Sequence, residues 1–150
     1  IETAVFSPKE FKDNDDYEAA IINKLANHNI DYIVLAGYMK IVGKLLLSHY
    51  PNKIINIHPS LLPSFKGLNA QKQALDYGVR YTGCSVHFVS DELDGGPIIL
   101  QEVVEVLPHD TVESLSDRIL DKEHILYSKA IELISKNKVF IQNKKVLIKN

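Results

Sequence analysis

A chain of 150 residues with 45% hydrophobic content can bury one sizeable core, so a single domain spanning residues 1–150 is expected. A formal net charge of −2 argues against a nucleic-acid binder, and the lone Cys84 excludes an internal disulfide framework and a cysteine-rich zinc site. The apolar runs are far shorter than a membrane span and no signal peptide is visible, so the expected setting is cytoplasmic, without a membrane partner.

The chain opens on IETAVF without a methionine, in what reads as the middle of a strand, so an upstream segment is expected to be missing. A helix begins near Asn14–Asp16, where acidic and capping residues cluster. Tyr17, Ile21, Ile22, Leu25 and Ala26 share its apolar face, and it ends around His28 and Asn29. The apolar run Asp31–Gly37 predicts a strand buried on both faces. Lys44–His49 reads as a short helix stopped near Pro51, and Ile54–His58 as the next strand. A Pro- and Gly-punctuated loop follows, then a helix over Asn69–Tyr77 that ends at Gly78.

Cys84–Val89 and the stretch IILQEVVEV predict two further strands around the loop SDELDGGP. The longest helix runs from Thr111 to about Lys136, with Leu115, Ile119, Ile125, Ala130 and Leu133 near an apolar stripe. VFIQ and KVLI around the turn NKK suggest a hairpin. Strand and helix alternate early and strands dominate later, which predicts an α/β fold with a parallel core and a mixed sheet.

Several chemical motifs fail. In GYMKIVGK five residues rather than four separate Gly37 from Gly43, and Leu45 stands where a phosphate-binding loop needs Ser or Thr. No histidine pair has metal-ligand spacing, so no metal is expected. What remains is polar: Asn56, His58 and Asp94, with Ser85 and His87 close to the last in sequence. Side chains alternate on a strand, so Asn56 and His58 share one face, and His58 sits at the strand's carboxyl end before Pro59. Taken singly, each residue reads more readily as structural: a satisfied histidine, turn aspartates beside Gly95 and Gly96, an asparagine bonded to backbone. Together they can sit at strand ends on one edge of a sheet. They then supply an amide donor for an oxyanion, an imidazole to move a proton and a carboxylate to tune it. No Ser or Cys is paired with His58 as nucleophile, which points to transfer onto a substrate that brings its own.

NIHPSLLP, Gly67 after it, SVHFVSDELDGGPIIL and the later DKEH resemble the phosphoribosylglycinamide formyltransferases, folate-dependent enzymes of purine synthesis. The similarity runs through LAGYMKIV and LLLSHYPNKIINIHP, and the motif aspartate Asp94 follows His58 by 36 residues. The resemblance implies a Rossmann-like formyltransferase fold with a largely parallel, mixed sheet, lacking here its N-terminal strand-loop-helix portion. It implies 10-formyltetrahydrofolate as formyl donor and the amine of phosphoribosylglycinamide as acceptor. Asn56, His58 and Asp94 match the catalytic trio. Met39, Lys40, Ile41 and Val42 match the folate-pocket segment, and Ser90, Asp91, Glu92, Leu93 and Asp94 the loop over the pteridine, with Asn56 at the same pocket. Leu120, Asp121, Lys122 and Glu123 match the acceptor-contacting region.

The chain departs from the family pattern at Asn69 and Ala70, where histidine and threonine are usual, and at Asn14 and Lys40, where arginines are common. The acceptor's phosphate-holding loop has no counterpart in these residues, so an upstream fragment is an expected partner. Formyltetrahydrofolate hydrolase is the nearest rival, although Pro59 and DGGP favour the transferase. A methionyl-tRNA formyltransferase would need a basic tRNA-binding domain. The remaining alternative is a non-catalytic α/β binding module, for which His58 and Asp94 need not converge on a cleft.

Overall fold

The computed structural model describes residues 1–149. Their secondary structure runs α1 (Asn14–Ala26), β1 (Ile33–Val34), α2 (Lys44–His49), β2 (Ile54–His58), α3 (Ala70–Tyr77), β3 (Tyr81–Phe88), β4 (Ile98–Glu105), α4 (Val112–Ser135), β5 (Val139–Gln142) and β6 (Lys145–Ile148). A short 3-10 turn over Pro8–Glu10 precedes α1. The main sheet has the order β1-β2-β3-β4, and β5 pairs with β6 in a separate hairpin. The sheet is mixed: β1 runs parallel to β2, while β2–β3 and β3–β4 are antiparallel, so its parallel portion is one pair.

The elements form where local chemistry favours them. Asp13 caps α1 by accepting from the Asp16 amide at 2.9 Å. Thr111 and Ser114 form a reciprocal capping box at the start of α4. Gly78 ends α3 in the left-handed conformation, φ 79°, and donates its amide to Ala74 and Leu75. Asn143 and Lys144 both have positive φ, the geometry whose twist suits a two-residue hairpin.

Two apolar clusters sandwich the sheet. On one face α4 sets Leu115, Ile119, Leu126, Ala130 and Ile134 against Ile55, Cys84, Val86, Phe88 and Ile99. On the other, Ile22 of α1, Val42 and Leu46 pack with Ile54. Successive residues of a strand face opposite ways, so Asn56 and His58 share the face of Ile54, away from α4.

Three expectations are corrected. Residues Ile1–Val5 join no ladder, and Ile1 and Val5 are exposed, because no neighbouring strand lies beside them among the described residues. The run from Asp31 to Gly37 yields only a two-residue strand with Val34 exposed; among the described residues β1 pairs on one side alone and is not buried on both faces. Ile125 points to solvent and Leu126 takes the core position, because the stripe steps from Ile119 by seven residues, two helical turns.

Apolar periodicity gives no hint of Glu18. This fully buried carboxylate accepts from the Gly43 amide at 2.5 Å and the Leu46 amide at 3.0 Å, satisfying free donors at the start of α2. It locks α1 to the segment that leads into α2. Glu18→Ala should therefore lower unfolding free energy by about 2–3 kcal/mol through two unmet buried donors. Urea denaturation measures this, and an unchanged midpoint would show that water replaces the carboxylate.

Candidate active site

The ladder between β2 and β3 sets the site. Asn56 stands opposite His87 and His58 opposite Ser85, so four polar side chains occupy one face. A lone polar residue there would be costly, but these are organised. Ser85 donates its hydroxyl to the Ser60 carbonyl at 2.7 Å. It accepts from the Leu62 amide at 3.0 Å and from Gln101 Nε2 at 2.9 Å. Gln101 also reaches the Leu62 carbonyl at 3.0 Å. The loop after His58 is thus bonded down onto the sheet by Ser85 and Gln101.

That loop turns two backbone groups toward the site. Phe65, at φ 54°, presents its carbonyl 2.8 Å from His58 Nε2, which must carry the hydrogen because a carbonyl only accepts. Gly67, at φ 77°, donates its amide to Asp94 Oδ2 at 2.8 Å. A left-handed Phe costs roughly 1–2 kcal/mol, strain that the surrounding contacts must hold.

Asp94 does not arrive as the sequence suggested. Strand β3 is antiparallel to β2, so its carboxyl end lies by the amino end of β2, with Phe88 opposite Ile55. The loop Ser90–Gly96 folds back over the sheet face, and Asp94 meets the histidines from above and not from a shared strand edge. Gly96 permits this: a Cβ there would lie 1.8 Å from the Phe88 carbonyl oxygen. A Lys66–Glu92 ion pair of 2.6 Å ties this loop to the one after β2.

The carboxylate sits between two imidazoles. Its Oδ2 lies 3.5 Å from His58 Nδ1, and its Oδ1 lies 3.7 Å from His87 Nε2, with all three side chains at least nine-tenths buried. His87 Nδ1 donates to the Phe88 carbonyl at 2.9 Å. Burial holds the His87 pKa below the ordinary histidine value, against the opposing pull of the Phe88 carbonyl and Asp94. The His58 Nδ1 contact is longer than a close hydrogen bond.

His58 and Asp94 therefore meet, and Asn56 lies on the same sheet face. The other expected residues divide. Met39 and Ile41, 81% and 72% exposed, offer apolar side chains to solvent in the stretch after β1. Lys40 lies 4.5 Å from the centre of the Tyr17 ring. Val42 differs, buried in the core with Ile22, Leu46 and Ile54. Among Ser90–Leu93, the Ser90 hydroxyl accepts from the Glu92 amide at 3.3 Å, and Asp91, Glu92 and Leu93 are exposed.

Leu120–Glu123 lies on α4, behind the sheet face opposite the trio. Leu120, Asp121 and Lys122 are exposed, and Lys122 faces Glu102 at 3.6 Å. Glu123 is half-buried, and burial raises its pKa. One turn further on, the Tyr127 hydroxyl reaches the Leu35 and Ile55 carbonyls at 2.7 and 3.0 Å, tying α4 to β1 and β2.

Sequence reasoning missed the Phe65 carbonyl and the Gly67 amide, which no side-chain pattern encodes. It noted Ser85 and His87 without a role. The signal was there: Ser85-x-His87 repeats the two-residue spacing of Asn56-x-His58, so antiparallel pairing would align both pairs. Gly96→Ala should push the Asp94 loop off the sheet. The Gly67 amide would then lose hydrogen-exchange protection by about tenfold or more, the equivalent of one hydrogen bond. Retained protection would show that the loop absorbs the methyl group without moving Asp94.

The model of the formyl transferase family matches residues 1–131. The phosphoribosylglycinamide formyltransferase of Bacillus subtilis is 45% identical over 132 residues, which are 88% of this chain and 68% of that protein. The trifunctional purine biosynthetic protein adenosine-3 of Chironomus tentans is 42% identical over 144 residues, 96% of this chain and 10% of that protein. This chain thus spans a tenth of one relative and about two thirds of the other.

The crystal structure of glycinamide ribonucleotide transformylase 1 from Symbiobacterium toebii superposes with a TM-score of 0.94 at 46% identity, covering 96% of this chain and 68% of that one. A formyltetrahydrofolate deformylase from Pseudomonas syringae superposes at 0.88 with 33% identity, covering 96% and 47%. With the family model matching most of its length, the chain belongs to the formyl transferase family.

Proposed function

We propose that residues 1–150 belong to the catalytic domain of a cytoplasmic phosphoribosylglycinamide formyltransferase of purine biosynthesis. It moves the formyl group of 10-formyltetrahydrofolate to the amine of phosphoribosylglycinamide. The observation that carries this reading is the meeting of His58 and Asp94 over the sheet face that Asn56 shares. The likeness to transformylases at 45–46% identity supports it.

In this reading Met39 and Ile41 hold the flat folate ring, with Lys40 at the rim and Val42 backing the wall from the core. Ser90–Asp94 cover the ring. Leu120–Glu123, carried by α4 on the other face of the sheet, are assigned to the acceptor by the family resemblance alone. Asn56 donates its amide to the formyl oxygen as attack by the amine turns it into an oxyanion. A second proton on the His58 ring, held at Nδ1, donates to the same oxygen. Asp94 Oδ2, held by the Gly67 amide, orients the His58 ring. No residue forms a covalent adduct, because the amine is itself the nucleophile. Among the described residues no cluster of three or more His, Cys, Asp or Glu has metal-holding geometry, and none is given a role here.

The second reading is hydrolysis of the same donor, favoured by the 33% identity to the deformylase. The two differ in the acceptor. Formyl release followed by folate absorbance should depend on added phosphoribosylglycinamide. Asn56→Ala, His58→Ala and Asp94→Ala should each lower kcat by roughly 100- to 1000-fold. Release at full rate without acceptor would replace this reading with the hydrolase, and full activity in His58→Ala would remove the trio from the reaction.

A further inference from the structure

Outside the trio, the site holds one buried titratable atom with no hydrogen-bond partner that faces the reacting carboxylate: Nε2 of His87. His87 is 2% exposed, and its other nitrogen, Nδ1, donates to the Phe88 carbonyl, which can only accept. The neutral ring therefore turns a bare lone pair toward Asp94 Oδ1, 3.7 Å away. An ionised carboxylate offers that lone pair nothing. A buried acceptor facing another acceptor is unfavourable unless a proton lies between them.

The two oxygens of Asp94 are unlike in this respect. Oδ2 accepts from the Gly67 amide and faces His58, whereas Oδ1 faces only His87 among its close polar neighbours. Other charged groups acting on His87 are His58 and Lys66, both opposing a second proton on its ring, while Asp94 favours one. Burial outweighs that attraction, so the ring stays neutral and stays an acceptor.

We infer that His87 is a positioning residue for formyl transfer, whose Nε2 accepts the hydrogen bond of Asp94 Oδ1–H while Asp94 carries the proton between the two substrate nitrogens. The inference rests on the formyl-transfer reading above and names the part of the site that stores the proton. An N–H bond of the attacking amine breaks and an O–H bond forms on Oδ1. That O–H bond then breaks, and an N–H bond forms on the departing folate nitrogen. Asp94 and His87 end as they began, and no further reactant is needed. The Gly67 amide keeps Oδ2 as the acceptor oxygen, so the proton is directed to Oδ1.

Nitrogen-15 NMR of the intact chain tests the contact without turnover. His87 should show a protonated Nδ1 and an unprotonated Nε2 at neutral pH, and Asp94→Asn, whose amide can donate, should shift the Nε2 resonance. A protonated Nε2 at neutral pH, or a resonance that ignores Asp94→Asn, overturns the inference.

Kinetics test the role. His87→Phe, which keeps a ring but no acceptor, should lower kcat about 10- to 100-fold with both KM values within about twofold. His87→Gln, whose amide oxygen can accept, should recover most of the loss. Raised KM values with an unchanged kcat, or a Gln variant as impaired as the Phe variant, would make His87 a packing residue. A wild-type chain that transfers no formyl group would defeat the functional reading, and the NMR arm would still decide the His87–Asp94 contact.

Discussion

The antiparallel register of β2 against β3 is the constraint on which the site rests. Because strand side chains alternate with a period of two, pairing Asn56 with His87 and His58 with Ser85 puts four polar groups on one face. A slip of one residue would turn one strand's pair into the cluster beneath α4, where Ile55, Cys84, Val86 and Phe88 pack. The apolar demand of that cluster therefore holds the polar face in place. Fold energetics and site geometry share one set of hydrogen bonds.

On that base the loops do the electrostatic work. The loop after β2 is pinned from below by Ser85 and Gln101, which lets it hold Phe65 in a left-handed conformation and aim a carbonyl at His58. The loop after β3 folds back across the face because Gly96 can lie against the Phe88 carbonyl. Their meeting point is Asp94, which takes a backbone donor on one oxygen and faces an imidazole from each. Behind the sheet, Tyr127 fastens α4 to β1 and β2, so the helix bearing Leu120–Glu123 is tied to the same strands that carry the site.

Much of this was legible before any coordinates. The capping signal at Thr111, the run IINIH and the hairpin around Asn143 and Lys144 all appear where local chemistry places them. Asn56, His58 and Asp94 stood out as residue types suited to oxyanion and proton chemistry. Less legible was anything set by a distant partner. Glu18 sits in a helix whose apolar face is only moderately clear, and its role exists only because two amides of α2 face it. Val34 reads as core and lies exposed, since exposure depends on which strands pair with β1. Ile125 and Leu126 are equally apolar neighbours, and only packing against the sheet separates them.

The sequence by itself determined the local elements, the candidate trio and the family, because helix caps, strand alternation and the spacing of NIHPSLLP and LDGGP are properties of neighbouring residues. Tertiary structure alone decided that β3 runs against β2, that Asp94 reaches the histidines over the sheet face, and that His87 turns an unpartnered ring nitrogen toward it. Strand direction and loop return are settled by contacts between residues about 30 positions apart. A backbone carbonyl such as that of Phe65 leaves no mark in the sequence of side chains, and its part in the site arises only when the chain folds.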